Sequence, residues 1–180
     1  MRIIGGRHRG RKLADFKGSD IRPTADRVKE SLFNILSAKV AGASVLDLFC
    51  GSGNLGLESI SRGAAKAHFN DLSKDSLAVL KKNLAAVGEQ DKCRITNLDY
   101  LACLSCAGDR YDLIFIDPPY AKEFGVPALE TISKRGLLTE DGIAVYERDR
   151  AFEGKVDGLE QYDERKYGKT YLTFFKRSEQ

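Results

Sequence analysis

No apolar run in this chain approaches the roughly 20 residues that a membrane span needs, so neither a helical span nor a membrane partner is expected. A signal-peptide core is missing too, because Arg2, Arg7, Arg9 and Arg11 interrupt the N-terminus. The expected location is therefore the cytoplasm. Cysteine is sparse: Cys50, Cys93, Cys103 and Cys106 are all there are. Cys103-Leu104-Ser105-Cys106 has C-x-x-C spacing, but no second pair exists, and the two histidines, His8 and His68, lie far from it. A structural zinc site needs about four organised ligands. No metal is expected, and the thiols of a cytosolic fold stay reduced. Repeats, low-complexity tracts and linkers are likewise absent.

Two basic runs, one near each end, contain no acid. Residues 1–12 carry Arg2, Arg7, Arg9, Arg11 and Lys12 with no Asp or Glu. Residues 165–177 carry Arg165, Lys166, Lys169, Lys176 and Arg177, again without acid. The net charge is only +3, so the distribution matters more than the total. A charge run is usually a solvated face. Two runs interleaved with Gly and Tyr favour contact with phosphate.

What is present is a soluble α/β pattern. At 180 residues the chain is long enough for a full core. Residues 1–13 read as a hairpin turning through Gly5-Gly6 to Gly10. Over residues 24–38, Val28, Leu32, Ile35 and Leu36 form one helical stripe, and Arg27, Lys29 and Glu30 fall off it. Strand and helix then alternate. Strands are expected at 44–49, 66–70, 93–96, 111–116 and 142–147, and helices at 54–62, from Ser73 to Gly88, and at 127–134. An antiparallel pair, 161–167 with 170–175, closes the chain. The reading is a doubly wound, Rossmann-like, mostly parallel sheet with an antiparallel C-terminal strand. Residues 1–40 form a basic extension and residues 41–180 the main domain.

Two segments carry the chemistry. Val45-Leu46-Asp47-Leu48-Phe49-Cys50-Gly51-Ser52-Gly53-Asn54-Leu55-Gly56 is a strand entering a glycine turn. Its Gly51, Gly53 and Gly56 match G-x-G-x-x-G, a weak signal alone. Asp47 inside the strand suits the ammonium of an amino acid and repels a pyrophosphate. That favours S-adenosylmethionine over a nicotinamide dinucleotide, unless Asp47 merely caps the turn. Asp71, at the end of the second strand, suits ribose hydroxyls. Asp99 suits the adenine amine, with Leu98 and Tyr100 covering the ring; its structural alternative is a helix N-cap. Phe49, Ser52, Gly53 and Leu72 complete the expected donor site.

The second segment is Asp117-Pro118-Pro119-Tyr120, directly after the apolar run Leu113-Ile114-Phe115-Ile116. The Asp117 carboxylate and the Pro118 carbonyl, stiffened by the following proline, can both accept from one NH2 group. Tyr120 can stack on the ring that bears it. A rigid turn is the structural alternative. After a buried strand, with a glycine turn upstream, the four residues read as a catalytic socket for an aromatic amine. A base must be single-stranded, looped or flipped to enter it.

At this point the chain resembles a family, the bacterial 16S ribosomal RNA guanine-N2 methyltransferases of the RsmD type. The resemblance is carried by Arg2-Ile3-Ile4-Gly5-Gly6, Arg9-Gly10-Arg11-Lys12-Leu13, Arg22-Pro23-Thr24 and the run from Arg27 to Leu36. The glycine turn, Asp117-Pro118-Pro119-Tyr120 and Tyr167-Gly168 add to it. Cys50 and Asn54 depart from the family's usual Ala and small apolar residue. The resemblance implies a class I methyltransferase fold. It implies methyl transfer from S-adenosylmethionine to N2 of one guanine, position 966 in the standard numbering, in 16S RNA of a small-subunit assembly particle. The expected RNA contacts are Arg2, Arg7, Arg9, Arg11, Lys12, Arg22, Thr24, Arg27, Arg165, Lys166 and Lys169. No dimer stripe is visible, and a monomer is expected. Three alternatives stand beside this: an N6-adenine DNA methyltransferase, a nicotinamide-dependent oxidoreductase and a non-catalytic RNA-binding assembly factor.

Overall fold

The computed structural model describes residues 1–15, 26–119 and 122–179. The helices are α1 (Asp26–Ile35), α2 (Ser37–Val40), α3 (Asn54–Ser61), α4 (Lys74–Val87), α5 (Tyr100–Cys106) and α6 (Gly125–Lys134). The strands are β1 (Ser44–Asp47), β2 (Lys66–Asn70), β3 (Cys93–Thr96), β4 (Tyr111–Ile116), β5 (Leu138–Arg148), β6 (Leu159–Tyr167) and β7 (Thr170–Arg177). They form one sheet in the order β3-β2-β1-β4-β5-β7-β6. β1 to β5 run parallel, and β7 is antiparallel to both β5 and β6. The expected doubly wound architecture is therefore the observed one. Strand order reverses between β1 and β4, which opens a crevice beyond their carboxyl ends.

Each face of the sheet buries its own core. Phe33, Val45, Leu80, Leu113, Phe115 and Phe174 share one cluster with Ile3, Leu13, Val28 and Leu32 from the N-terminal segment. Leu46, Ile114, Ile116, Leu129, Ile132 and Ala144 belong to the other. β4 supplies both clusters, as the apolar run of a central parallel strand should.

The expected N-terminal hairpin is short. Arg2 bridges Lys12, the Ile3 N–H donates to the Arg11 carbonyl at 3.0 Å, and the Leu13 N–H donates to the Met1 carbonyl at 3.0 Å. Several boundaries differ from those expected. The 24–38 helix is split at Leu36 into α1 and α2. β5 begins at Leu138, because Leu138 pairs with Tyr111 ahead of a register shift; the intervening Thr139-Glu140-Asp141-Gly142 reads locally as a turn. α5 is absent from the expected helices, and appears only as the N-cap alternative weighed for Asp99. Its buried stripe is only Tyr100, Cys103 and Leu104, too short for periodicity to show.

Candidate active site

The glycine turn is built by backbone geometry. Gly51 (φ 54°) and Gly53 (φ 92°) occupy the left-handed region, which L side chains rarely enter. The Cys50 N–H donates to the Asn70 carbonyl at 2.9 Å, and the Gly51 N–H to Asp71 Oδ2 at 2.8 Å. The turn is thereby stitched to the end of β2. A side chain on Gly56 would overlap the Phe69 ring, so the third glycine lets α3 lie close on the sheet. A Cβ on Gly51 would meet nothing within 4 Å: the space over the turn is open to a ligand.

Asp47 ends β1 and is buried. Its Oδ2 accepts from the Gly56 N–H at 2.9 Å, so one oxygen holds the first turn of α3, the structural role weighed for it from sequence. Burial pushes its carboxyl up to about 7, against the lowering effect of that hydrogen bond, with Asp71 adding a smaller rise. Because the folded chain holds this proton more tightly than the unfolded chain, stability falls as pH rises from about 4 to about 7. Asp47→Asn keeps an oxygen for the Gly56 N–H and removes the charge. The variant should be more stable than the wild type at pH 8, by about 1–3 kcal/mol, and nearly equal to it at pH 4. Urea midpoints at the two pH values check this. An equal difference at both would mean that Asp47 does not titrate as described.

Beyond β2, each Asp71 oxygen accepts one backbone N–H, from Gly51 and from Ser73 (2.8 Å each). A carboxylate has about four acceptor positions, so this one retains room for hydroxyls. Asn97 Nδ2 donates to the Asp71 and Leu72 carbonyls at 2.9 Å and steadies the loop. Leu72 is 69% exposed, an apolar surface beside acceptors. Asp99 caps α5, taking the Leu101 N–H on Oδ1 at 2.9 Å. Tyr100 stacks on Phe124 with ring centroids 4.7 Å apart and packs against Phe49 at 5.4 Å. Ser52 is turned elsewhere. Its hydroxyl lies 3.6 Å from the Met1 sulfur, and its carbonyl accepts from Asn83 Nδ2 at 2.9 Å.

Across the crevice, Asp117 and Pro118 continue from β4, and Pro119 is exposed. Tyr120, Arg22 and Thr24 lie outside the described residues. Burial, then the charges of Glu147 and Asp47, push the Asp117 carboxyl well above the usual carboxylate range. Glu147 and Phe124 were not among the residues expected from sequence. Glu147 reaches the site through strand pairing some thirty residues downstream. Phe124 carried one local signal, an aromatic ring four residues past Tyr120.

The basic residues divide into three places. Arg7, His8, Arg9, Arg11 and Lys12 line one concavity. The Arg7 N–H donates to the Ser61 carbonyl at the far end of α3, so the hairpin tip sits roughly 12 Å, one eight-residue helix, from the glycine turn. Arg7 and His8 both meet Glu89 at 3.0 Å. Arg2 pairs with Asp26 at 2.7 Å, and Arg27 is exposed on the same helix. Arg148 of β5 pairs with Tyr171, which places the β6–β7 turn, with Lys166 and Lys169, at the Asp117 end of the sheet. Arg165 pairs with Asp163 at 3.0 Å. All four cysteines are free thiols.

The model of the family described as "Conserved hypothetical protein 95" matches residues 1–176. YlbH of Bacillus subtilis, a candidate rRNA methyltransferase, is 35% identical over 98% of this chain and 99% of its own. The ribosomal RNA small subunit methyltransferase D of Escherichia coli K12 is 36% identical over 83% of this chain and 75% of its own. The solved structure of the candidate methyltransferase yhhF of Escherichia coli superposes with a TM-score of 0.90 at 32% identity, covering 100% of this chain and 99% of that one. With its sheet order, its glycine turn and nearly its whole length matched, the chain belongs to this family, the RsmD-type methyltransferases.

Proposed function

We propose that this protein, acting as a cytoplasmic monomer, methylates the exocyclic N2 of a single guanine in 16S ribosomal RNA, position 966 in the standard numbering, during small-subunit assembly. The observation that carries the reading is the placement of Asp117-Pro118-Pro119 beyond β4, across the strand-order reversal from the glycine turn. S-adenosylmethionine supplies an electrophilic methyl group on a sulfonium centre. The structure suits that donor: open space over Gly51, carboxylates at Asp47, Asp71 and Asp99, and the bare face of Leu72. Asp71 on the glycine turn and Asp47 on the helix it opens disfavour a pyrophosphate there.

A guanine amine is a poor nucleophile because its lone pair is delocalised into the ring. Asp117 and the Pro118 carbonyl accept hydrogen bonds from its two N–H groups and favour a pyramidal nitrogen. The lone pair then points across the crevice. The N–C bond forms as the S–C bond breaks, and that pair of electrons stays on sulfur. The methylated nitrogen is strongly acidic and releases its proton afterwards, so no dedicated base is needed. Orienting the two reactants can supply roughly 7–11 kcal/mol.

Mass mapping of 16S RNA from cells lacking the protein tests this reading. The expected result is the loss of one N2-methylguanine; an unchanged pattern would overturn it. The basic extension, residues 1–40, is the RNA-contacting part. Replacing Arg7, Arg9 and Arg11 with Gln should weaken RNA binding and lower the slope of log affinity against log salt by up to about 2–3. An unaltered slope would remove the hairpin tip from the RNA interface.

A further inference from the structure

We propose that Glu147 distinguishes guanine from adenine, accepting the ring N1–H of guanine while Asp117 and the Pro118 carbonyl hold the neighbouring amine. This rests on the methyltransferase reading of the site and supplies the base selection that the reading lacks.

The argument begins with register. β4 and β5 are parallel, with Phe115 opposite Val145 and Ile116 opposite Tyr146. The next pair in that register is Asp117 and Glu147, on strands about 4.8 Å apart. Phe115 and Val145 share one core cluster, whereas Ile116 and Tyr146 share the other. Side chains alternate along a strand, so Asp117 and Glu147 both project to the side of Phe115. Glu147 is 5% exposed. It lines a shallow pocket together with Pro118, Pro119, Tyr146 and Arg148. A second carboxylate thus adjoins the socket that holds the amine.

Asp117 and a carbonyl cannot choose between bases, since the amines of adenine and guanine offer the same two protons. The bases differ at the adjacent ring position. Guanine has N1–H beside its N2 amine, whereas adenine has an N1 lone pair beside its N6 amine. A carboxylate facing N1–H makes a charge-assisted hydrogen bond. Facing the adenine N1, it sets lone pair against lone pair. Two adjacent carboxylates match a ligand edge with adjacent donors. They mismatch an edge with one donor group and one acceptor. Burial and the neighbouring Glu147 charge raise the Asp117 carboxyl above its ordinary range, and guanine's adjacent donors offset that repulsion.

The test uses small-subunit RNA carrying either guanine or 2-aminopurine at the target position. 2-Aminopurine keeps the same amine but has no N1–H. The wild type should lose at least about 100-fold in kcat/KM on the analogue, as sites built around a buried N–H do. In Glu147→Gln the terminal amide can accept or donate at N1, and the ratio should fall below about 10. The analogue also lacks O6, but that loss is common to both enzymes and cancels in the comparison. S-adenosylhomocysteine should titrate alike in both. The same base ratio in both enzymes would overturn the proposal, as would a donor-affinity loss that accounts for the whole rate change. Should the variant fail to fold, a wild-type ratio near one would overturn it alone. The two readings fail separately. Absence of N2-methylguanine on unmodified RNA sinks the methyltransferase reading, whereas N2-methylation without base discrimination sinks only the role of Glu147.

Discussion

Asp117→Ala should lose methyl transfer by about a thousandfold or more, roughly 4 kcal/mol of barrier, while S-adenosylhomocysteine titrates as it does with the wild type. In the proposed reading the carboxylate, which stands beyond β4, is on the base side of the crevice. In the same reading the donor side is built by β1, β2 and the loop after β3. Removing it therefore costs the amine one of its two acceptors and leaves the donor contacts in place. Its removal also relieves repulsion, because Glu147 and Asp47 together with burial hold the Asp117 carboxyl above its ordinary range. The sign follows directly. An acid whose folded pKa is raised weakens the fold as pH rises through the window between its unfolded and folded values. Asp117→Ala should thus melt at or above the wild-type temperature at pH 8, with the difference shrinking toward pH 4. Loss of turnover accompanied by a lower melting temperature at pH 8 would assign Asp117 a structural role. Retained turnover would remove it from the mechanism.

Much of this site was legible in the chain because its signals are local. The glycine turn follows an apolar strand within ten residues, and Asp117-Pro118-Pro119 follows another without a gap. β4 announced itself by being apolar on both faces. Ser73 as a cap and Gly88 as a stop framed α4, and the structure has both, Gly88 at φ 78°. What escaped was non-local. Glu147 comes beside Asp117 only through the register of β4 with β5. Lys29 escaped for the same reason. It falls off the apolar stripe of α1, which suggests solvent, yet it is 0% exposed. Helical periodicity speaks for the apolar stripe alone. It is silent on a lysine whose side-chain partners sit on another helix some twenty-five to thirty residues away.

Those partners make the strongest stability prediction. Lys29 Nζ donates to the Arg2 carbonyl at 2.6 Å and to Asn54 Oδ1 at 2.7 Å, and it pairs with Glu58 Oε2 at 3.1 Å. Glu58, also 0% exposed, accepts from the Ile4 N–H at 2.9 Å, from the Gly5 N–H at 2.8 Å and from Arg62 Nε at 2.8 Å. The pair thus fastens the N-terminal segment and α1 onto α3, the helix that opens at the glycine turn. Burial lowers the Lys29 pKa, and Glu58 opposes that shift. Breaking a buried pair from one side costs roughly 3–5 kcal/mol, because the other charge stays behind without water. Glu58→Leu should reach the upper end of that range, since it strands Lys29 and leaves two backbone N–H groups without their acceptor. Lys29→Met should cost less, because Glu58 keeps both N–H groups and Arg62. Urea denaturation of the two single variants and of the double variant Lys29→Met/Glu58→Leu separates the terms. The double variant should be more stable than the sum of the single losses predicts. Strict additivity would show that the two side chains do not act as a pair. Asn54 begins α3 beside the glycine turn, so Lys29→Met should also weaken S-adenosylhomocysteine binding severalfold. Unchanged donor affinity would confine the pair to holding the N-terminal segment.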